Sequence, residues 1–385
     1  MVEEQVLTQT QALTRTGFLV EVVRDVDRFN ALAPEWDGLV ERWGIDRLFL
    51  SHTWFRTWWE SFGAGNRLFI VLVRDRGELI GIAPMMHTRA SIYGFKVEAL
   101  QAIFNPHTPR YDFIVARNQD PGIYRAIWKA FAEHGKSDAV VLTQVPDGSE
   151  SIAQMEQLGK RDGWLAGQWS SPASPFVRLD GGYESLFGNL RDSVQYNLRK
   201  RYDRLSRRGP VDVEFVTGLH DVKNAMGDGL RIEAAAWKGA EGTAINSDPK
   251  VAAFYTHLAE RQAELGQLRL AFLRVGGKRI AFNYLLQCGT KLYALKIGYD
   301  PEYHSYSPGH MLLNLILEGA CMAGVQEYDF LGNDDDWKFE WTEEKREHRW
   351  LFLLRNKLPN RLLHHLKFSL VPAVKPRIRR FIHGL

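Results

Sequence analysis

The sequence is poor in cysteine, with Cys288 and Cys321 the only two among 385 residues. They allow at most one disulfide and exclude a structural zinc site without several histidine co-ligands, so a reducing compartment is the expectation. Long apolar runs are missing as well: the longest, such as Leu68 to Val73, are strand-sized, far short of the roughly 20 residues that cross a bilayer. The opening residues bring Glu3 and Glu4 but neither a cationic nor an apolar stretch, so no secretion signal is read and a cytoplasmic protein is expected. There is no Gly-x-Ser-x-Gly elbow, Gly-x4-Gly-Lys-Ser/Thr loop, Gly-x-Gly-x-x-Gly fingerprint or Cys-x-x-Cys pair. Covalent serine catalysis, nucleotide hydrolysis, dinucleotide binding and dithiol chemistry therefore lack their usual signals. No metal site is expected, because His364-His365 stands among arginines and reads as a solvated face.

What is present is the composition of a folded protein, 45% apolar, 12% aromatic and 25% charged. The length favours two lobes over one core. Net charge is only +3, yet from Lys345 to Leu385 eleven Lys/Arg face one acid, Glu347. The tail is thus a separate electrostatic object. Three segments follow: residues 1–170, 171–345 and the basic extension 346–385, with Pro172 and Pro175 marking the first break.

An internal repeat organises the rest. Trp54, Phe55, Trp58, Trp59 and Phe62 fall on one helical face, and a hairpin follows with Gly77 in its turn. The same order returns with Phe254, Tyr255 and Leu258, then a hairpin turning at Gly277. Leu68, Arg74, Gly77 and Ile80 correspond to Leu268, Arg274, Gly277 and Ile280 at a constant offset of 200, which predicts a duplication.

Only the second copy continues as a strand over Lys291 to Tyr299, a turn from Asp300 to His310, a helix from Met311 to Ala323 and a strand over Gln326 to Leu331. That order puts free N–H groups of Gly309, His310 and Met311, beside Ser307, at a helix N-terminus able to hold a pyrophosphate. It resembles the GNAT acyltransferase fold, and the resemblance implies an acyl-CoA co-substrate and two splayed strands that admit its pantetheine arm. His304 and Ser307 replace residues of the usual loop pattern. Lys296, on the preceding strand, joins the expected CoA-binding set.

A closer resemblance is to the CelD/BcsL branch, related to the two-lobed FemAB-like enzymes. It is carried by Pro84, Glu233 with Trp237-Lys238-Gly239, Gly242-Thr243-Ala244, Tyr299-Asp300-Pro301, Ser307-Pro308-Gly309, Asp329-Phe330-Leu331-Gly332, Trp337-Lys338 and Trp341. It implies an α/β (α+β) protein of two tandem GNAT-like lobes, each a mixed sheet flanked by helices, with a basic amphipathic C-terminal tail. The implied reaction is N-acyl transfer from acyl-CoA to an amine. Bacterial ceramide synthases of this type point to a sphingoid-like lipid amine, and other relatives to exopolysaccharide or cellulose-related sugars.

Amine acylation needs a proton acceptor and a donor for the developing oxyanion. Candidate bases are His107, with Asp112 at a His-x4-Asp spacing, Glu233, and Asp329 at a strand end. Arg110, Trp237, Lys238 and Lys338 are candidate substrate-binding residues. The run Arg191 to Arg208 is a basic helix, either a solvated face or a phosphate contact; aminoacyl transfer from tRNA and a non-catalytic scaffold are the other readings, with nucleic acid not favoured. Leu362, Leu363, Leu366 and Leu370 are expected on one face of a tail helix that meets an anionic membrane peripherally.

Overall fold

The computed structural model describes residues 9–13, 17–43, 47–92, 95–116, 121–235 and 244–370. The chain divides into two compact units, Met1–Ser171 with Glu347–Leu385, and Pro172–Arg346. Each is a mixed sheet flanked by helices.

The first unit contains β1 (Gln9–Leu13), β2 (Leu19–Val23), β3 (Arg67–Asp75), β4 (Glu78–Ile92), β5 (Phe95–Ala102), β6 (Ile114–Val115), β7 (Ala139–Pro146) and β8 (Leu165–Ser170). Its helices are α1 (Val26–Ala31), α2 (Ala33–Trp43), α3 (Arg47–Leu50), α4 (His52–Phe62), α5 (Gly122–His134) and α6 (Glu150–Arg161). In α4 the Ser51 side chain accepts the Trp54 N–H at the N-cap, and Trp54, Phe55 and Trp58 are buried. Such a buried side chain contributes about 1.5–3 kcal/mol, so the aromatic face rather than helix propensity fixes the element.

The second unit contains β9 (Ser174–Arg178), β10 (Val211–Val216), β11 (Leu268–Val275), β12 (Lys278–Cys288), β13 (Lys291–Tyr299), β14 (Glu327–Asp329) and β15 (Lys345–Arg346). Its helices are α7 (Tyr183–Asn189), α8 (Asp192–Ser206), α9 (Leu219–Ala235), α10 (Pro249–Glu264) and α11 (Pro308–Met322). The strands order as β10-β11-β12-β13-β14-β9-β15. Ala271, Leu273 and Val275 of β11 share one core cluster with Val194, Leu198 and Leu205 of α8 and with Met311, Ile316 and Leu317 of α11. That two-residue spacing puts α8 and α11 on one face of the sheet.

The duplication extends to hydrogen-bond register. Both hairpins turn with two consecutive positive φ angles, 47° and 89° at Arg76-Gly77, 56° and 83° at Gly276-Gly277, the geometry that matches strand twist. Both also shift register at the same place, between Val73 and Arg74 and between Leu273 and Arg274. In each unit a parallel pair follows the antiparallel ones, β5 with β7 and β13 with β14.

One expectation is corrected here. His348–Leu354 does not start a separate tail but forms β16, which enters the first sheet between β7 and β8. The first sheet then runs β1-β2-β3-β4-β5-β7-β16-β8, with β6 on β4. The run Leu351, Phe352, Leu353 and Leu354 is buried on both faces of the strand, and that burial outweighs the basic character of its surroundings. The helix α12 (Leu358–His365) follows and is continued by one π-helical turn, Leu366–Leu370. The basic residues beyond Leu370 lie outside the described residues.

Candidate functional site

The chemistry-bearing part of the second unit is set by where β13 and β14 part. Their ladder comprises Lys291↔Glu327, Leu292↔Tyr328 and Tyr293↔Asp329. β14 ends there, while β13 runs on to Tyr299. Between Tyr284 and Leu285 of β12 the register against β13 shifts, Tyr284 facing Lys296 and Leu285 facing Ala294, so Leu295 is the extra residue of a bulge. Bulges bend a strand and re-aim its groups. From Ala294 onward β13 therefore leaves β14 and offers backbone to an extended ligand.

Above this gap the chain passes through a 3-10 turn, Pro301–Tyr306, to Ser307, which is left-handed (φ 47°, ψ 59°) and caps α11 without a side-chain bond. Pro308 has no N–H to give. The Met311 N–H, expected in the phosphate cradle, donates to Ser307 O at 3.1 Å instead, so the cradle reduces to Gly309 and His310. These two lie in the first turn of a helix, where N–H groups and the helix dipole favour an anion.

Cations surround this turn. Arg204 of α8 lies 5.0 Å from the Tyr306 ring centroid, and Arg208 5.6 Å from that of Tyr303. Lys278 pairs with Asp300 at 3.0 Å and lies 5.1 Å from the Tyr303 centroid. The His310 imidazole packs against Trp337 and Trp341, with Nδ1 3.7 Å from Glu340 Oε2. Burial pushes its pKa down, Glu340 opposes this, and Arg201 adds to the lowering. His310 is thereby held towards its neutral form.

Glu233 is fully buried near the end of α9, and its Oε2 accepts the Ile245 N–H at 2.9 Å. Helix and strand approach so closely that a Cβ on Gly298 of β13 would stand 2.5 Å from Glu233 Cα. The Tyr255 phenol is raised well above its ordinary range, by burial first and by the Glu233 charge second. Lys296 Nζ lies 5.2 Å from the Tyr255 ring centroid. Glu233, Tyr255 and Lys296 therefore form one cluster beside the strand that departs from β14.

Other candidates have structural partners. Asp329 Oδ1 accepts the Leu331 N–H at 2.9 Å, and Oδ2 accepts Arg346 Nη1 at 2.7 Å, so both oxygens are engaged in holding the end of β14. Lys338 Nζ donates to Leu331 O at 3.0 Å and Asn333 O at 2.5 Å and pairs with Asp335 at 3.1 Å. Burial lowers its pKa. It staples the turn in which Leu331 and Gly332 have φ of 52° and 61°, so it braces the site rather than reaching for a substrate. Trp237 and Lys238 lie outside the described residues.

The remaining candidates belong to the first unit. The His107 ring stacks on Phe62, centroids 5.9 Å apart at 13°, and the His107 N–H donates to Asn105 Oδ1 at 2.9 Å. Asp112 Oδ1 accepts the Phe113 N–H at 2.8 Å, and its charge helps raise the Tyr111 and Tyr124 phenols. Arg110 is buried, its guanidinium 5.8 Å from the Phe49 centroid. Sequence reasoning missed Arg346, Glu340 and Tyr255. A lone arginine 17 residues beyond Asp329 carries no local signal of that pairing.

In the second unit a parallel strand pair thus parts beside a helix N-terminus. Residues 192–339 match the acetyltransferase (GNAT) domain family, and the enzyme class is accordingly acyltransferase, with acyl-CoA the co-substrate that such a domain implies. Among solved structures, FemX is similar at a TM-score of 0.58 and 13% identity, covering 86% of this chain and 98% of its own. The C-terminal domain of a putative lysylphosphatidylglycerol synthetase from Agrobacterium fabrum follows at 0.52 and 12%, covering 89% and 96%. The L-PGS structure from Bacillus licheniformis gives 0.50 and 12%, with 89% and 96% covered. At these identities the likeness is one of fold. No curated protein matches the chain.

Proposed function

We propose that this chain transfers an acyl group from acyl-CoA to the amine of a lipid-borne acceptor, on the inner face of the cytoplasmic membrane. The observation that carries the reading is the parting of β13 from β14 at Tyr293 and Asp329 beside the Gly309 and His310 N–H groups, which meet no acceptor among the described residues. The pyrophosphate would sit on those N–H groups with Arg204 and Arg208 nearby, and the pantetheine arm would take up the unpaired edge of β13. In the reaction the amine nitrogen forms a C–N bond as the thioester C–S bond breaks. The amine proton passes to a base, and the sulfur leaves to be protonated as free CoA. We assign the base to Glu233, which lies against Gly298 on the departing strand.

A sphingoid-type amine, as in ceramide synthesis of the CelD/BcsL kind, is the acceptor we favour; a sugar hydroxyl or amine of an exopolysaccharide is the alternative. Mass spectrometry of products formed from acyl-CoAs of several lengths and a sphingoid base tests the reading, with calorimetry of CoA binding beside it. An N-acyl product and CoA binding are the expected results. No product with any acyl-CoA together with no CoA binding would overturn it.

A second reading is aminoacyl transfer from tRNA. It is favoured by the exposed cations of α8 that lie over aromatic rings, Arg199 on Phe187, Lys200 on Tyr196 and Arg204 on Tyr306, since such a face suits a phosphate backbone and stacked bases. Steeply salt-dependent tRNA binding without CoA binding would select it.

A further inference from the structure

Helix α12 and its π-helical turn lie on the first unit with one face held and the other bare. On the held face Leu363 is buried, His364 Nε2 meets Ala166 O at 2.9 Å, and Asn360 Nδ2 donates to Arg355 O at 2.9 Å. The Lys367 amine sits 4.1 Å from the Trp169 centroid and 4.3 Å from that of Phe352. Phe368 packs so tightly on Gly167 that a Cβ there would collide with its ring. The helix cannot roll to hide its other side. That side carries Leu358, Leu362 and Leu370, exposed by 71%, 58% and 46%, with Leu366 completing an i, i+4, i+8, i+12 stripe. Beside it Lys357 and Arg361 are exposed, and no acid occurs from Arg355 to Leu370.

We propose that this leucine stripe is the surface by which the first unit docks on an anionic phospholipid bilayer. Apolar side chains on a fixed helix can enter the acyl boundary while surrounding cations meet anionic headgroups, and the two contributions add. Charge decides among occupants. A second copy of the chain would set the exposed Lys357 and Arg361 of one face against those of the other, with no acid between Arg355 and Leu370 to offset them. An anionic bilayer answers both charge and apolarity.

The docking does not depend on which acceptor the enzyme acylates. The test is co-sedimentation of the full chain with vesicles of phosphatidylcholine alone and of equal parts phosphatidylcholine and phosphatidylglycerol. Binding is expected on the anionic vesicles, weakened by salt, and Leu358→Ser/Leu362→Ser is expected to lower partitioning about tenfold or more. Leu219→Ser, at an exposed leucine of the second unit, should leave it unchanged. All these side chains face solvent, so a melting curve equal to wild type shows that the fold is intact. Wild-type protein that ignores anionic vesicles would overturn the proposal, as would a double variant that binds like wild type. So would a wild-type dimer that the double variant converts to monomer. Transfer to a water-soluble amine should survive the double variant, which separates failure here from failure of the acyltransferase reading.

Discussion

Arg346 Nη1 lies 2.7 Å from Asp329 Oδ2 and its Nη2 lies 2.5 Å from Glu327 Oε2, so one guanidinium from the edge strand β15 holds both acids of β14. The same guanidinium stands 3.7 Å from the Phe176 ring centroid on β9, the strand between them. The clamp fixes the end of β14 at the residue where β13 leaves it. Rigid placement of that point is what lets the gap beyond it hold a ligand in one geometry.

Replacing Arg346 with Met leaves Asp329, which is fully buried, without its countercharge. Removing one partner of a buried pair costs about 3–5 kcal/mol; Arg346 keeps some solvent contact, so the lower end is expected. Arg346→Lys should recover part of it, because a lysine supplies charge but no planar fork for two carboxylates. Urea denaturation of the three proteins measures this. Equal midpoints for Arg346→Met and wild type would remove the clamp.

The core of this arrangement was legible in the sequence only where it is local. The hairpins at Gly77 and Gly277 could be read because strand alternation and turn chemistry sit within a few residues, and the shared register shift at offset 200 deepens that reading. The pairing of β16 with β7 and β8 could not, since its partners lie 179 to 215 residues away, from Arg349↔Ser170 to Leu354↔Ala139, and its flanks are basic. The tail shows the same limit. Sequence spacing placed Leu363 with Leu362, Leu366 and Leu370, but Leu363 faces the core and Leu358 takes its place in the exposed stripe. Lys338 read as a substrate cation because nothing local announces that three acceptors surround its amine.

Gly298 meets the α9 backbone, and no side-chain movement can make room for a methyl group there. Gly298→Ala should therefore shift α9 or β13 and cost about 1–3 kcal/mol, the usual range for overpacking. Because β13 also lines the gap, CoA affinity should fall in the same variant. Calorimetry under conditions where the variant is fully folded separates the two effects; unchanged affinity would detach the gap from the CoA site.

His87, on β4 with its ring edge-on to Phe69, has its pKa pushed down to about 4, chiefly by burial and then by Arg67 and Arg24. As pH falls through about 6.5 the unfolded chain takes up this proton while the folded chain does not, so stability drops until about pH 4. The full shift would be worth ~3 kcal/mol, and ~1–2 kcal/mol once the water around this half-buried ring is allowed for. Melting His87→Gln beside wild type isolates the group from other titrations. The difference between them should change across that window, and parallel curves would mean that His87 keeps an ordinary pKa.

Glu233→Gln is the variant that bears most directly on mechanism. An amide keeps the oxygen that accepts the Ile245 N–H and nearly the same volume, so the fold should persist, but a neutral amide takes up no proton. Loss of a general base typically lowers turnover about 10²–10⁴-fold, and CoA affinity should hold because the Gly309 and His310 donors are untouched. His107→Ala gives the contrast. Its ring stacks on Phe62 in the first unit, and the expected result is transfer within a few-fold of wild type. Asp329→Asn should reduce stability first, through loss of the Arg346 pair. Transfer that survives in Glu233→Gln and collapses in a folded, CoA-binding His107→Ala would move the proton acceptor to His107.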